Sequence, residues 1–450
     1  MFKKFTNGCV AIVQKYLPDP FLFAVVLTIL VFVLGIFATG QSPIQMVAHW
    51  GNGIWGLLAF SMQMALVLVT GHTLASAPII KKGLSKLASF AKTPGQAILA
   101  VSLVSGIACW INWGFGLVIG ALYARELAKQ VKGVDYRLLI AAAYSGFLVW
   151  HGGISGSIPL TLATASPDLA RVTSGAVVDA ISTTQTIFSP FNLIISGILI
   201  LTLPLVNKAM HPEADKAFVV DPKLLADTEE ETVVSKADMT PAEKMENSPV
   251  LSMITGALGL AFIIYHFNKK GFDLNLNIVN LIFLTAGIIL HGTPRRYLNA
   301  LSIAAKGTAG ILLQFPFYAG IMGMMTGQSP AGISLAGQMS NMFVAISTPK
   351  TFPLFTFWSA GLVNFFVPSG GGQWAVQAPI MMPAGLELGV PAAKTAMSIA
   401  WGDAWTNMIQ PFWALPALGI AGLGARDIMG YCIVDLIYSG IIISAVFLLF

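Results

Sequence analysis

Asp403 lies in residues 401–416 (WGDAWTNMIQPFWALP), with Thr406 and Asn407 close behind it in an otherwise apolar neighbourhood. A carboxylate beside hydroxyl and amide oxygens is a hard-oxygen set, suited to Na⁺ or to a carried proton. Residues 363–383 (VNFFVPSGGGQWAVQAPIMMP) raise a related question, because Pro368, Ser369, Gly370, Gly371 and Gly372 stand where an apolar helix should run. Gly costs about 1 kcal/mol and Pro about 3 kcal/mol inside a helix, so the helix must break here. A break exposes backbone N–H and C=O groups, and the helix that follows it presents unpaired N–H groups and a positive dipole end. Such a tip can receive a carboxylate and a cation together.

The first half of the chain carries counterparts. Residues 110–116 (WINWGFG) and residues 144–159 (YSGFLVWHGGISGSIP) again interrupt apolar runs with glycine and polar side chains. The substrate candidates are therefore Asn112, Trp113, Gly114, Gly116, Ser369, Gly370, Gly371, Gly372, Gln373 and Trp405. Gly371, at the centre of the triple glycine, is expected to admit no β-branched side chain. The cation candidates are Asn112, Ser145, Gly146, Ser369, Asp403, Thr406 and Asn407, with Asp403 expected inside an unwound segment and Na⁺ or H⁺ as the coupling ion. His151 reads either as a proton carrier or as a structural histidine, and Asp435, in the last apolar run, as a paired or snorkelling side chain. No Lys or Arg lies deep in these segments; Arg125, Arg137 and Lys394 sit near their ends. An organic dianion would thus lack a fixed cationic partner, whereas a monocarboxylate can be held by N–H groups and a co-bound cation. Trp110, Phe115, Trp150, Trp374, Trp401, Phe412 and Trp413 add aromatic surface for a short acyl chain.

These residues need a membrane-spanning scaffold. Of 450 residues, 56% are hydrophobic and only 10% charged, and the mean hydropathy is +0.76; this is the composition of a polytopic membrane protein in contact with the lipid bilayer. Apolar runs predict nine full spans near 21–39, 53–72, 136–164, 186–206, 249–267, 275–291, 305–326, 392–423 and 428–449, of which 136–164 and 392–423 are unwound midway. Two further runs, 95–128 and 352–389, are broken at their centres and predict re-entrant helical hairpins. Residues 78–92, with lysines on a helical period, predict a helix lying along the surface. With the N-terminus cytoplasmic, all Lys and Arg but Arg171, Lys269, Lys270, Lys350 and Lys394 fall inside.

Residues 207–248 form the one long polar connection, carry Glu229, Glu230 and Glu231, and read as a mobile cytoplasmic linker between a first half, 1–206, and a second, 249–450. Offsets of 256 or 257 residues place Gly114 and Gly116 on Gly370 and Gly372, and Ala143 and Pro159 on Ala400 and Pro416. An odd number of spans separates the starts of the halves, so the second is expected upside down relative to the first, an inverted repeat of the kind secondary transporters use.

Other functions lack their residues. Cys9, Cys109 and Cys432 are scattered without metal-ligand spacing. There is no G-x-x-x-x-G-K-[ST] phosphate loop, no HExxH, and no GxSxG in a strand-turn-helix setting, so the expectation is neither an enzyme nor a carrier that needs a cofactor. The net charge of +5 is spread over short loops rather than one patch, which gives no nucleic-acid footprint.

The segments YLPDPFLFA, WINWGFGLVIGALYARELAK, YSGFLVWHGGISGSIPLTLAT, FFVPSGGGQWAVQAPIMMPA and AWGDAWTNMIQPFWALP resemble the bacterial short-chain fatty acid transporter family nearly end to end. The resemblance implies membership of the ion transporter superfamily: inner-membrane carriers with inverted repeats, two re-entrant hairpins and a homodimeric scaffold. It also implies uptake of small acids such as acetoacetate or butyrate, by cation-coupled symport with elevator or rocking alternating access. A di- or tricarboxylate carrier of the same fold and a cation/proton antiporter with Asp403 as titrating group are the competing expectations.

Overall fold

The computed structural model describes residues 2–17, 19–165, 167–221, 225, 239–271 and 276–450. The regular structure of these residues is all helical, with no strand among them. Among the described residues, seven helices are long and apolar enough to cross a membrane: Phe21–Thr39, Pro94–Ile111, Tyr136–Ala163, Pro190–Ala209, Pro249–Lys270, Ala309–Thr326 and Ala425–Leu449. An eighth is the pair Ser61–Ser76 and Pro78–Ala88, bent by 81°; Pro78 begins the second piece, and the amphipathic turn that the lysines predicted follows it. The predicted run at 275–291 is described as the 16-residue helix Leu276–His291, and the run at 392–423 is divided at Gln410 into Ala392–Thr406, a 3₁₀ turn Asn407–Ile409 and Pro411–Ala421.

Element order recurs between the halves. In each, a helix ends at a left-handed glycine, Gly40 or Gly292, and the next begins at a Ser-Pro or Thr-Pro pair whose hydroxyl caps it, Ser42-Pro43 or Thr293-Pro294. A long helix and a shorter one follow, Leu58–Ser76 with Pro78–Ala88 and Ala309–Thr326 with Leu335–Ala345. Then come a hairpin, a broken span and a closing helix, Pro190–Ala209 in the first half and Ala425–Leu449 in the second.

The first hairpin is Pro94–Ile111 and Trp113–Gln130, broken at Asn112 alone; the second is Phe352–Asn364 and Gly370–Glu387, broken over residues 365–369. The glycines therefore sit in the first turn of each returning arm rather than in an open tip. Asn112 and Ser369 cap those arms with nearly identical backbone angles, φ −151° and ψ 119° against φ −153° and ψ 116°. That pairing fixes the hairpin register at 257, one residue from the offset that put Gly114 on Gly370.

The halves pack reciprocally. The outer piece of each broken span, Ser157–Ala163 or Pro411–Ala421, packs on the returning arm of the other half's hairpin. A two-fold relation between the halves requires this exchange. The linker departs from expectation at its start. Asp135, at the head of the first broken span, accepts from the backbone N–H of Phe218 at 2.8 Å, and Tyr136 N donates to Phe218 O at 2.8 Å. Residues around 211–218 are thus docked, because an otherwise orphaned helix start finds its partners there; Glu229, Glu230 and Glu231 lie outside the described residues.

Candidate functional site

Two broken spans and one hairpin meet at a fully buried pair, Asp403 and His151. Asp403 lies in the last helical turn of Ala392–Thr406, not in the unwound segment, because the helix continues four residues further than its counterpart Tyr136–Ser145 under the 257 register. His151 belongs to the 3₁₀ segment Gly146–Gly152 of the first broken span. His151 Nδ1 is 3.1 Å from Asp403 Oδ1. The opposite nitrogen, Nε2, accepts from Ile158 N–H at 3.1 Å and lies 3.1 Å from Ser157 Oγ. A backbone N–H aimed at Nε2 makes that nitrogen the acceptor, so the ring proton sits on Nδ1 and is donated to the carboxylate. The imidazole is thereby neutral, and no fixed positive charge offsets Asp403. Trp150 stacks on the same ring at 4.0 Å.

The other carboxylate oxygen, Asp403 Oδ2, is buried without a hydrogen-bond partner among the described residues. An orphaned anionic oxygen at this depth is costly unless a cation or proton occupies it. Other oxygens are fixed nearby on the chain. Asn364 donates to Asp403 O at 2.8 Å and to Thr406 Oγ1 at 2.9 Å, while its own Oδ1 stays buried and unpartnered. Thr406 Oγ1 donates to Gly361 O at 2.8 Å. Asn407 Oδ1 accepts from Trp150 Nε1 at 3.0 Å, and Asn407 O from Tyr144 Oη at 2.6 Å. Trp150 and Asn407 are 257 residues apart, the same offset as that between the hairpin caps Asn112 and Ser369.

Gly370 closes the site. A Cβ there would stand 2.3 Å from Ser157 Oγ and 2.8 Å from His151 Cε1, so the returning arm of the second hairpin approaches the histidine only because this residue has no side chain. Gly372 is similarly tight against Met322 Sδ at 2.8 Å. Gly371 is not: it is exposed, its φ is not left-handed, and a Cβ would meet nothing within 4 Å. The steric ground for excluding a side chain therefore moves from Gly371 to Gly370. Ser369 is half-buried and caps the arm through Gly372 N at 3.3 Å.

Several candidates are placed elsewhere. Gln373 holds the hairpin's two arms together, donating to Ala360 O at 2.7 Å and to Gln377 Oε1 at 2.8 Å. Trp405 donates to Leu436 O at 2.7 Å and packs at a tilt on Phe357, so it bonds the closing helix rather than the tip. Gly146 packs against Ser105 and Gly106 of the first hairpin. Ser145 bonds Ala142 O and Asn207 instead of Asp403. In the first hairpin, Asn112 Oδ1 accepts from Phe115 N at 2.9 Å, and Gly114 and Gly116 are buried in the arm, Gly116 against Cys109. Trp113 donates its backbone N–H to Ser155 Oγ and sets its ring edge-on to Trp150 and Trp413. Trp150, Trp401, Phe412 and Trp413 are buried against one another and their neighbours, and Trp110, Trp113 and Phe115 keep partial exposure.

Ser157 and Asn364 were missed by reading the sequence, and both had a legible trace. Ser157 precedes Pro159 at the start of a half-helix, and Asn364 stands just before the break at Pro368.

Comparison with known proteins bears on what this site serves. Residues 1–450 match the family model described as "Short chain fatty acid transporter". A protein of Escherichia coli K12, provisionally named a short-chain fatty acid transporter, is 49% identical over 96% of this chain and 96% of its own. A second, of Haemophilus influenzae and with the same name, is 46% identical over 98% of both. Among solved structures, the Alcanivorax borkumensis YdaH transporter, whose structure is described as revealing an unusual topology, aligns over 96% of this chain and 97% of that one, at 16% identity and a TM-score of 0.43, too distant to bear on function. The chain is a membrane protein, not an enzyme, and it belongs to the short-chain fatty acid transporter family.

Proposed function

We propose that this carrier takes up short monocarboxylates of the butyrate and acetoacetate type by symport, with the coupling cation held at Asp403. The observation that carries this reading is the buried, unpartnered Asp403 Oδ2, whose carboxylate receives one hydrogen bond from a neutral His151 and no countercharge. A cation, Na⁺ or H⁺, would complete that oxygen. The substrate carboxylate would then meet the unpaired N–H groups in the N-terminal turn of Gly370–Glu387, and the bound cation would offset its charge. His151 holds the carboxylate in place, and Asn364 ties the cation-bearing turn to the hairpin, so occupation of one is felt by the other.

The choice of a monocarboxylate rests on the charge inventory. No Lys or Arg forms an ion pair or hydrogen bond with Asp403, Thr406, Asn407, Ser369 or Gly370 among the described residues. A second substrate carboxylate would be buried without compensation. The reading also takes the protein to be an inner-membrane homodimer with its N-terminus in the cytoplasm, moving by alternating access of the elevator or rocking type. In proteoliposomes, accumulation of labelled butyrate should be driven by an inward cation gradient and should be competed by acetoacetate but not by succinate. Competition by succinate equal to that by acetoacetate would refute the substrate class, and oligomer mass in detergent tests the dimer.

A further inference from the structure

A cavity of about 310 Å³, lined by none of the site residues above, opens where the returning arm of the first hairpin ends. Its walls come from two elements. His72, Lys81 and Leu84 belong to the bent pair Ser61–Ser76 and Pro78–Ala88, and Arg125, Glu126 and Lys129 to the arm Trp113–Gln130. Its charge is net positive, with Lys81, Arg125 and Lys129 against Glu126, which Lys129 engages at 2.5 Å. Arg125 Nη1 lies 3.2 Å from His72 Nε2, and Nη2 donates to Leu225 O at 3.3 Å, while Nε is buried without a hydrogen-bond partner among the described residues. The guanidinium is thus held in place with a donor to spare. A buried donor left open on a fixed cation calls for an anionic acceptor.

The helix that forms one wall has the make-up of a membrane-interface element. Set at 81° to the apolar segment before it, Pro78–Ala88 runs close to the membrane plane. Ile79 and Leu87 are exposed apolar side chains on its outer face, Lys82 and Lys86 are exposed beside them, and Phe90 just past its end is exposed as well. Apolar side chains suit the acyl boundary and lysines the headgroups. On its other face Lys81 and Leu84 line the cavity. Gln130 Nε2 donates to Ser85 O at 2.9 Å and to Ser85 Oγ at 2.8 Å, which ties this helix to the end of the hairpin arm. The cavity therefore opens at headgroup depth, with a cation on each wall.

We infer that this cavity binds the phosphate headgroup of an anionic phospholipid, with Arg125 as the fixed donor and Lys81 as the cation on the opposite wall. A phosphate oxygen accepts from Arg125 Nε, Lys81 adds charge from the interfacial helix, and the acyl chains run outward beside Ile79 and Leu87. A headgroup carrying its own ammonium would bring a second positive charge to walls that are already positive. Selection for net negative lipid follows. Occupation would join the bent pair to the base of the first hairpin, and the inference does not depend on the carrier's substrate or coupling ion.

The test is native mass spectrometry of the purified full-length protein, titrated with phosphatidylglycerol or with phosphatidylcholine of identical acyl chains. Phosphatidylglycerol should be retained with about tenfold higher affinity or more. Loss of a charge-assisted contact costs about tenfold, so Arg125→Gln and Lys81→Gln should each weaken retention by that order, whereas Lys82→Gln, on the outer face, should change it by less than about threefold. Lys81→Gln leaves the hydrogen bonds of Arg125 in place and keeps the test open if Arg125→Gln fails to fold. Equal retention of the two lipids would overturn the inference. So would equal losses in Lys81→Gln and Lys82→Gln, which would show attraction to the charged surface rather than to the cavity. Millimolar inorganic phosphate should leave the lipid bound; displacement would make the free anion the ligand and overturn the lipid assignment.

Discussion

His151 Nδ1 donates to Asp403 Oδ1 across the boundary between the two halves of the chain, over 3.1 Å and 252 positions of sequence. Neither side chain reaches solvent. One comes from the 3₁₀ segment of the first broken span and the other from the last turn of a helix in the second. The contact makes a charge in one half depend on the backbone of the other.

Substitution of His151 by Gln tests that dependence. A hydrogen bond to a charged group contributes about 1.5–3 kcal/mol, which corresponds to about ten- to a hundred-fold in affinity. His151→Gln should raise the cation concentration needed for half-maximal uptake by that order, with less effect on the maximal rate. An unchanged cation dependence in a well-inserted protein would mean that the pair is structural only.

The glycines of the second hairpin should separate cleanly. Gly370→Ala places a methyl group 2.3 Å from Ser157 Oγ and 2.8 Å from His151 Cε1, whereas Gly371→Ala meets nothing within 4 Å. Uptake by Gly370→Ala should fall at least tenfold at normal membrane levels, while Gly371→Ala keeps most of its activity. The reverse order would place the close approach at Gly371.

Much of this architecture was legible because its cause is local. Proline and glycine interrupting apolar runs marked both hairpins and both broken spans, and the capping residues Asn112 and Ser369 stand where those interruptions end. What escaped was set by packing. The helix bearing Asp403 persists through Thr406, and no spacing rule shows that an asparagine 39 positions earlier, Asn364, ties its final turn to the hairpin. Gln373 and Trp405 were singled out by type and neighbourhood, yet their donors are taken by Ala360, Gln377 and Leu436. The docking of residues around 218 on Asp135 was likewise invisible, since a polar run says nothing about an unsatisfied helix start elsewhere.

An inverted relation of the halves, as expected from the sequence, makes a topological prediction. Single cysteines beside Gly114 and beside Gly370, in a background lacking Cys9, Cys109 and Cys432, should be labelled from opposite faces of the membrane in the two end states. Because each arm of the first hairpin has 18 residues, about 27 Å at 1.5 Å per residue, the same experiment also reads how deep that hairpin goes. Labelling of both positions from one face in every condition would rule out inversion.

In the proposed function Asp403 couples cation to monocarboxylate. Its most direct test is uptake of labelled butyrate by Asp403→Asn proteoliposomes, with and without a Na⁺ gradient at fixed pH, and then across a pH gradient without Na⁺. Asparagine keeps the size and one oxygen but removes the charge that would hold the ion. The variant should lose accumulation by more than tenfold while still exchanging internal for external butyrate. An Asp403→Asn carrier that concentrates butyrate with unchanged Na⁺ and pH dependence would contradict that coupling.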